Sequence, residues 1–88
     1  MSTISVIGAG YVGLTTSACL AHLGHEVICV DIDQEKIRQL QQGKIPIHEA
    51  GLLELVQTGI SNRCLQFVVG AENAVASSEF VFLCLPTP

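Results

Sequence analysis

The chain is 88 residues long and acidic, with a formal net charge of −4 and a pI near 5.1. Its four Lys and Arg residues cannot form the basic stripe that nucleic acid or an anionic membrane surface requires. With 49% hydrophobic residues and a mean hydropathy of +0.51 it is built for burial and not for disorder, and at 14% charged residues its apolar surface is expected to be covered by further protein.

Eighty-eight residues is short for one domain and too short for two. No basic n-region precedes the first apolar run, and no segment reaches the roughly 18 uninterrupted apolar residues of a membrane span. Cys19, Cys29, Cys64 and Cys84 are scattered, with no C-x-x-C pair and no metal spacing, and three of them sit inside apolar runs. A reduced, cytoplasmic setting is the expectation.

Residues 3–8 read as a strand whose near-continuous apolar character suits burial on both faces of a parallel sheet. Behind it comes Gly8-Ala9-Gly10-Tyr11-Val12-Gly13, then a helix predicted over Val12–Leu23, with Leu14, Ala18, Ala21 and Cys19 on one side and Gly24 as its stop. Glu26–Asp31 is a second strand. Asp33 is the expected N-cap of a helix over Gln34–Gln42 with Ile37 and Leu40 inward, and Gly43 ends it. Lys44-Ile45-Pro46-Ile47-His48 must be a loop, because Pro46 has no N–H and biases Ile45 away from helix. A short helix follows over Glu49–Thr58, with Gly59 and Asn62 marking its exit. Gln66–Val69 is a third strand, Glu72–Ser77 a short helix, and Glu79–Leu85 a fourth strand bounded by Pro86-Thr87-Pro88.

Two strands joined by a helix within roughly 30 residues form a βαβ unit with a right-handed crossover. The fold class is therefore α/β: a Rossmann-like doubly wound parallel sheet, incomplete at about four strands, in order 3-2-1-4. In that order the fourth strand leaves an apolar edge open, so residues 1–88 are expected to be the N-terminal portion of a longer dinucleotide-binding domain.

The glycine turn carries the chemistry. Gly8 lets the chain leave the strand sharply, Gly10 lacks the Cβ that would hold a phosphate off the backbone, and Gly13 lets the helix lie close to its strand, while the helix N-terminus offers free N–H groups to an anion. Tyr11 and Val12 line the same crevice. Asp31 follows Gly13 by 18 positions, at the end of the second strand, where a carboxylate accepts hydrogen bonds from the adenosine ribose and repels a 2′-phosphate. NAD is thus favoured over NADP. The bland alternative for Asp31, a helix cap, is already filled by Asp33. Lys36 has two even readings, a contact to the ribose or phosphate and a plain solvated lysine. Thr87 lies at the carboxyl edge where open α/β sheets bind ligands. His22, His25 and His48 share no metal-ligand spacing, and Cys84 has no base that would make it a nucleophile, so neither a metal site nor a catalytic residue is expected here.

Gly-Ala-Gly-Tyr-Val-Gly-Leu at 8–14, Val-Asp-Ile-Asp at 30–33, Pro-Ile-His-Glu-Ala-Gly-Leu at 46–52 and Leu-Pro-Thr-Pro at 85–88 together resemble the UDP-glucose/GDP-mannose dehydrogenase family. The resemblance covers essentially the whole chain. It implies the NAD-binding segment of a nucleotide-sugar 6-dehydrogenase that oxidises the sugar C6 alcohol to a carboxylate with two NAD, acting on a UDP-sugar or GDP-mannose and homo-oligomeric at full length. By the same resemblance Asp31 and Lys36 hold the adenosine ribose, Leu85, Pro86 and Thr87 form a cofactor-contacting strand end, and the catalytic Cys lies beyond this segment. Ala50, His48 and Pro86 depart from the commonest family residues, and Pro86 is more like members acting on UDP-N-acetylhexosamines, which leaves the sugar open. Two rival readings share the glycine turn: a non-enzymatic NAD- or nucleotide-sensing module, and an NAD-dependent dehydrogenase of hydroxyacyl-CoA type. The hydroxyacyl-CoA type, like a 6-phosphogluconate type, does not account for the 46–52 loop followed by Pro-Thr-Pro, and the sensing module is separated from the enzyme by whether a downstream Cys lies in a helical substrate domain.

Overall fold

The computed structural model describes residues 2–45, 49, 51–70 and 72–84. The elements run β1 (Thr3–Ile7), α1 (Tyr11–His22), β2 (Glu26–Asp31), α2 (Gln34–Gln41), α3 (Leu52–Ser61), β3 (Leu65–Val69), α4 (Glu72–Ala76) and β4 (Phe80–Leu83). All three strand pairings are parallel, in the order β3-β2-β1-β4, with Ile7 beside Val30 of β2 and Leu83 of β4. This is the predicted doubly wound topology, and it puts the carboxyl ends of β1, β2 and β3 along one edge.

The core forms where side chains of that sheet meet α1, α2 and α3. Ile4 and Val6, Val27 and Cys29, and Leu65 and Phe67 alternate down their strands and pack with Leu14, Ala18, Ile37, Leu40 and Val56. Ile4, Ser5 and Val6 of the central strand are all buried, as a strand covered on both faces requires. On the opposite face the buried Ser5 meets the segment that follows α4, its hydroxyl bonded to that of Ser78. Beside α4 the sheet is open, leaving a groove of about 750 Å³ over Ile28, Gln66 and Val68. Every residue of β4 is exposed, Leu83 to 73%.

Three helices end in the same way. At the end of α1, Gly24 N–H donates to Ala21 and His25 N–H to Leu20. At the end of α2, Gly43 donates to Leu40 and Lys44 to Gln39. At the end of α3, Arg63 donates to Ile60 and Cys64 to Gly59. These are Schellman closures, which need a left-handed residue just past the cap. In α3 that residue is Arg63, at φ 61°, the one non-glycine with positive φ among the described residues.

This corrects the expected helix boundaries. Gly59 does not mark an exit; it is buried within α3, where a Cβ would lie 2.9 Å from the Leu65 Cβ and 3.5 Å from the Ala21 Cβ. Its role is close packing of α3 between α1 and β3. The helix starts later too, at Leu52 behind Gly51, and not at Glu49. Cys19 is exposed and not on the packed side of α1, which is Gly13, Leu14, Ser17, Ala18 and Ala21. With small residues on every side, α1 gives little periodic signal to separate its faces.

Candidate functional site

The glycine turn is built around one close approach. A Cβ on Gly13 would fall 1.7 Å from the Gly8 carbonyl oxygen, so only glycine lets the first turn of α1 sit over the end of β1. Gly8 has φ 108°, is buried, and donates to the Val30 carbonyl of the neighbouring strand at 2.7 Å. Ser17, buried one turn along, donates to the Gly13 carbonyl at 2.7 Å and fastens the turn from below. Gly10 is the N-cap of α1. It brings no side chain to the helix end, and a Cβ there would meet nothing within 4 Å. Open space over an uncapped helix N-terminus suits an anion that takes backbone N–H groups as its ligands.

Asp31, at the carboxyl end of β2, is bound to that turn directly. Its Oδ2 accepts from the Ala9 N–H at 2.9 Å and its Oδ1 from the Asp33 N–H at 3.0 Å, while Lys36 Nζ lies 3.8 Å from Oδ2. Partial burial works against the charge, but the Ala9 and Asp33 N–H bonds and Lys36 outweigh it and hold the carboxyl below its usual range. Two oxygens offer about four lone-pair positions, so the carboxylate retains capacity for further donors such as a pair of hydroxyls. Asp33 caps α2 as predicted, accepting from Lys36 N–H at 3.1 Å. Ile32, 89% exposed, and Val69, 46% exposed, stand beside Asp31 at the same edge.

Tyr11 and Val12, exposed to 52% and 62%, open the first turn of α1. The Glu49 carboxylate, near the Tyr11 phenol, pushes its ionisation up. Behind this pair a groove of about 450 Å³ runs between α1 and α3, lined by Thr15, Glu49, Leu52 and Leu55 among others. The buried Thr15 hydroxyl oxygen there has no hydrogen-bond partner among the described residues.

Comparison with known proteins fits this geometry. The model of the UDP-glucose/GDP-mannose dehydrogenase family, NAD binding domain, matches residues 2–88. The chain belongs to this family. As a member of the UDP-glucose/GDP-mannose dehydrogenase family, it is 42% identical over its whole length to the UDP-glucose 6-dehydrogenase TuaD of Bacillus subtilis, covering 19% of that protein. It is 47% identical over 97% of its length to the UDP-glucose 6-dehydrogenase of Rhizobium meliloti, covering 20% of it. Among solved structures, a GDP-mannose dehydrogenase from Pseudomonas aeruginosa, crystallised as a ternary complex, superposes with a TM-score of 0.93 at 43% identity. That match takes in 98% of this chain and 20% of that one. The chain therefore spans about a fifth of the length of the curated relatives it matches.

The structure brings Gly8, Gly10, Tyr11, Val12, Gly13, Asp31 and Lys36 to one end of the sheet. Leu85, Pro86 and Thr87 lie outside the described residues. Cys84 donates its backbone N–H to Ile7 at 2.8 Å and packs partly against the core. Sequence reasoning passed over Ala9, whose N–H ties Asp31 to the turn, and Glu49, whose charge acts on Tyr11. Ala9 had a signal, being the position between two glycines whose backbone the turn exposes. The partner of Tyr11 had none, since Glu49 is 38 residues away with no shared period.

Proposed function

We propose that this chain is the NAD-binding part of a nucleotide-sugar 6-dehydrogenase, which oxidises the C6 alcohol of a UDP-sugar or GDP-mannose to the carboxylate with two NAD. The observation that carries the cofactor reading is the 2.9 Å bond from Ala9 N–H to Asp31. It supports that reading by tying Asp31, the proposed ribose acceptor, to the turn proposed to cradle the phosphate.

When bound, NAD supplies the hydride acceptor. Gly8, Gly10 and Gly13 shape the turn, and the N–H groups at the start of α1, with Tyr11 and Val12, receive the pyrophosphate. Asp31 accepts the adenosine ribose hydroxyls and disfavours a 2′-phosphate by charge. Lys36, held near Asp31, balances that charge. Ile32 and Val69 give the adenine an apolar edge to lie against. By resemblance, Leu85, Pro86 and Thr87 complete the cofactor contacts. Similarity over this segment does not separate the sugars, since relatives named for UDP-glucose stand at 42% and 47% and one named for GDP-mannose at 44%. Four free cysteines suit a reducing cytoplasm. Calorimetric titration of the intact protein with NAD and NADP tests the reading: NAD should bind, and Asp31→Ala should weaken NAD and narrow its preference over NADP. Equal NAD affinity in wild type and variant would refute the ribose assignment.

A further inference from the structure

We infer that Asp33 is a positioning residue for Lys36: its carboxylate caps the first turn of α2 and so keeps the Lys36 ammonium beside Asp31 at the proposed ribose site. The inference rests on the reading of the turn as a dinucleotide site and deepens it. In sequence Asp33 is only a helix cap. The geometry gives that cap a task at the cofactor, one that neither the glycine pattern nor the family description assigns.

Three residues at the exit of β2 close a loop of contacts. Asp31 is the last residue of β2, Asp33 the N-cap of α2, and Lys36 the third helical residue. Asp33 is extended, at φ −81° and ψ 102°, the conformation from which a cap side chain reaches an orphan N–H of the first turn. Its Oδ1 accepts from the Lys36 N–H at 3.1 Å, and its own N–H donates to Asp31 Oδ1 at 3.0 Å. Lys36 Nζ then returns to Asp31, 3.8 Å from Oδ2, the oxygen that also accepts from the Ala9 N–H at 2.9 Å. The cap is thus anchored to the same carboxylate that its helix turn presents Lys36 to. With side chains 36% and 15% exposed, the Lys36–Asp31 pair is sheltered, whereas the Arg38–Glu35 pair on the same helix stands open at 62% and 60%.

A lysine is placed only as well as the turn that carries it. At eight residues α2 is too short to hold itself by propensity, and it depends on packing and on its cap. Ile37 and Leu40 anchor its middle and end, but Gln34 and Glu35 of the first turn are exposed, so the cap is what fixes that turn. Without the Asp33 carboxylate the Lys36 N–H loses its acceptor, the turn frays, and the ammonium spends less time beside Asp31. A bound ribose would then have to order a long side chain itself, at a cost in affinity. Glu35, the other acid of the first turn, accepts from Arg38 at 3.1 Å, which leaves Asp31 as the carboxylate paired with Lys36.

Calorimetric titration of the intact protein with NAD tests this in Asp33→Ala and Asp33→Asn, each alone and combined with Lys36→Ala. Asp33 is exposed, so neither change at that position removes a core contact. Asp33→Ala should lose about threefold to tenfold in NAD affinity. Asp33→Asn keeps an oxygen for the Lys36 N–H and should restore affinity to within about twofold of wild type. The double-mutant cycle separates positioning from plain capping. The capped N–H belongs to the backbone, so Asp33→Ala should cost the same urea stability with or without the Lys36 side chain. Its cost in NAD affinity should instead fall below about twofold in the Lys36→Ala background, where no ammonium is left to place. Full NAD affinity in Asp33→Ala, an Asp33→Asn protein as weak as Asp33→Ala, or an equal NAD loss in both backgrounds overturns the positioning role alone. Failure of the wild-type protein to bind NAD overturns the cofactor reading and the positioning role with it.

Discussion

The Gly8 carbonyl oxygen occupies the space where a Cβ on Gly13 would be, 1.7 Å from its ideal position. Gly10, midway between them, has nothing within 4 Å of its own missing Cβ. The three glycines of the turn therefore answer to different demands, two to the fold and one, on the proposed reading, to a phosphate. Gly13→Ala must push α1 off the end of β1, and a backbone clash of this depth exceeds the 1–3 kcal/mol typical of overpacked cores. The expected outcome is a loss of more than about 3 kcal/mol in urea unfolding. Gly10→Ala has a compatible φ of −73°. Its poorer N-capping and its smaller unfolded-state entropy offset each other to within about 0.5 kcal/mol. Stability should hold while NAD affinity falls, because the methyl group projects into the space proposed for the phosphate. A Gly10→Ala protein with undiminished NAD affinity would count against the cradle.

Asp31 serves both demands at once. Its folded-state ionisation lies below the usual value, so its contribution to stability is present above the unfolded value of about 3.9 and is lost as pH falls through the folded value. Acid should therefore loosen the turn and the proposed ribose site together. Asp31→Asn keeps one oxygen for the Ala9 or Asp33 N–H and places an amide against the other, costing about 1–3 kcal/mol at neutral pH. The stability difference between wild type and Asp31→Asn, followed by thermal unfolding, should shrink as pH drops below about 4. A difference that stays constant across that range would show that the carboxylate charge has no part in holding the turn.

The topology was legible because its signals are local and redundant: an apolar strand, a glycine turn, a helix of the right length and an acidic strand end within the first 31 residues. The core positions Ile37 and Leu40 of α2 were legible for a similar reason, since polar residues flank them at helical spacing. Legibility failed where a residue's role is set by something distant. Gly59 looks like punctuation in sequence, and only the approach of Ala21 and Leu65 shows it to be a packing residue. Arg63 carries no sign of a left-handed backbone, because the αL position at a helix end is ordinarily marked by Gly or Asn.

The cysteines differ sharply in their surroundings, and their chemistry should follow. Cys29 is fully buried in the core; burial pushes its thiol up to about 11, against a weaker opposing effect of the Ser17 hydroxyl. At pH 7 its thiolate fraction is on the order of 1 in 10,000, and no reagent reaches it without local opening. Cys19 is exposed on α1. Brief alkylation of the native protein followed by peptide mass mapping should label Cys19 early and Cys29 last. Early labelling of Cys29 would mean that the turn and strand above it open far more readily than their hydrogen bonds suggest.

Two positions flanking the end of α3 should respond in opposite directions. Gly59→Ala adds a Cβ that would lie 2.9 Å from the Leu65 Cβ, in a place where α3 cannot retreat without leaving Ala21. The gain of about 1 kcal/mol in helix propensity is outweighed by an overpacking cost of about 1–3 kcal/mol, so the net effect is destabilising. Arg63→Gly relieves a left-handed conformation that costs a side-chain-bearing residue roughly 1–2 kcal/mol, offset in part by the greater entropy glycine brings to the unfolded chain. The backbone bonds from Arg63 to Ile60 and from Cys64 to Gly59 survive that change, since neither uses the side chain. A net gain of about 0.5–1 kcal/mol is expected, read as a rise in the urea midpoint at unchanged slope. Should Gly59→Ala stabilise the protein instead, α3 would have to sit further from β3 than the missing Cβ requires. The α1–α3 pair would then be looser than the structure shows.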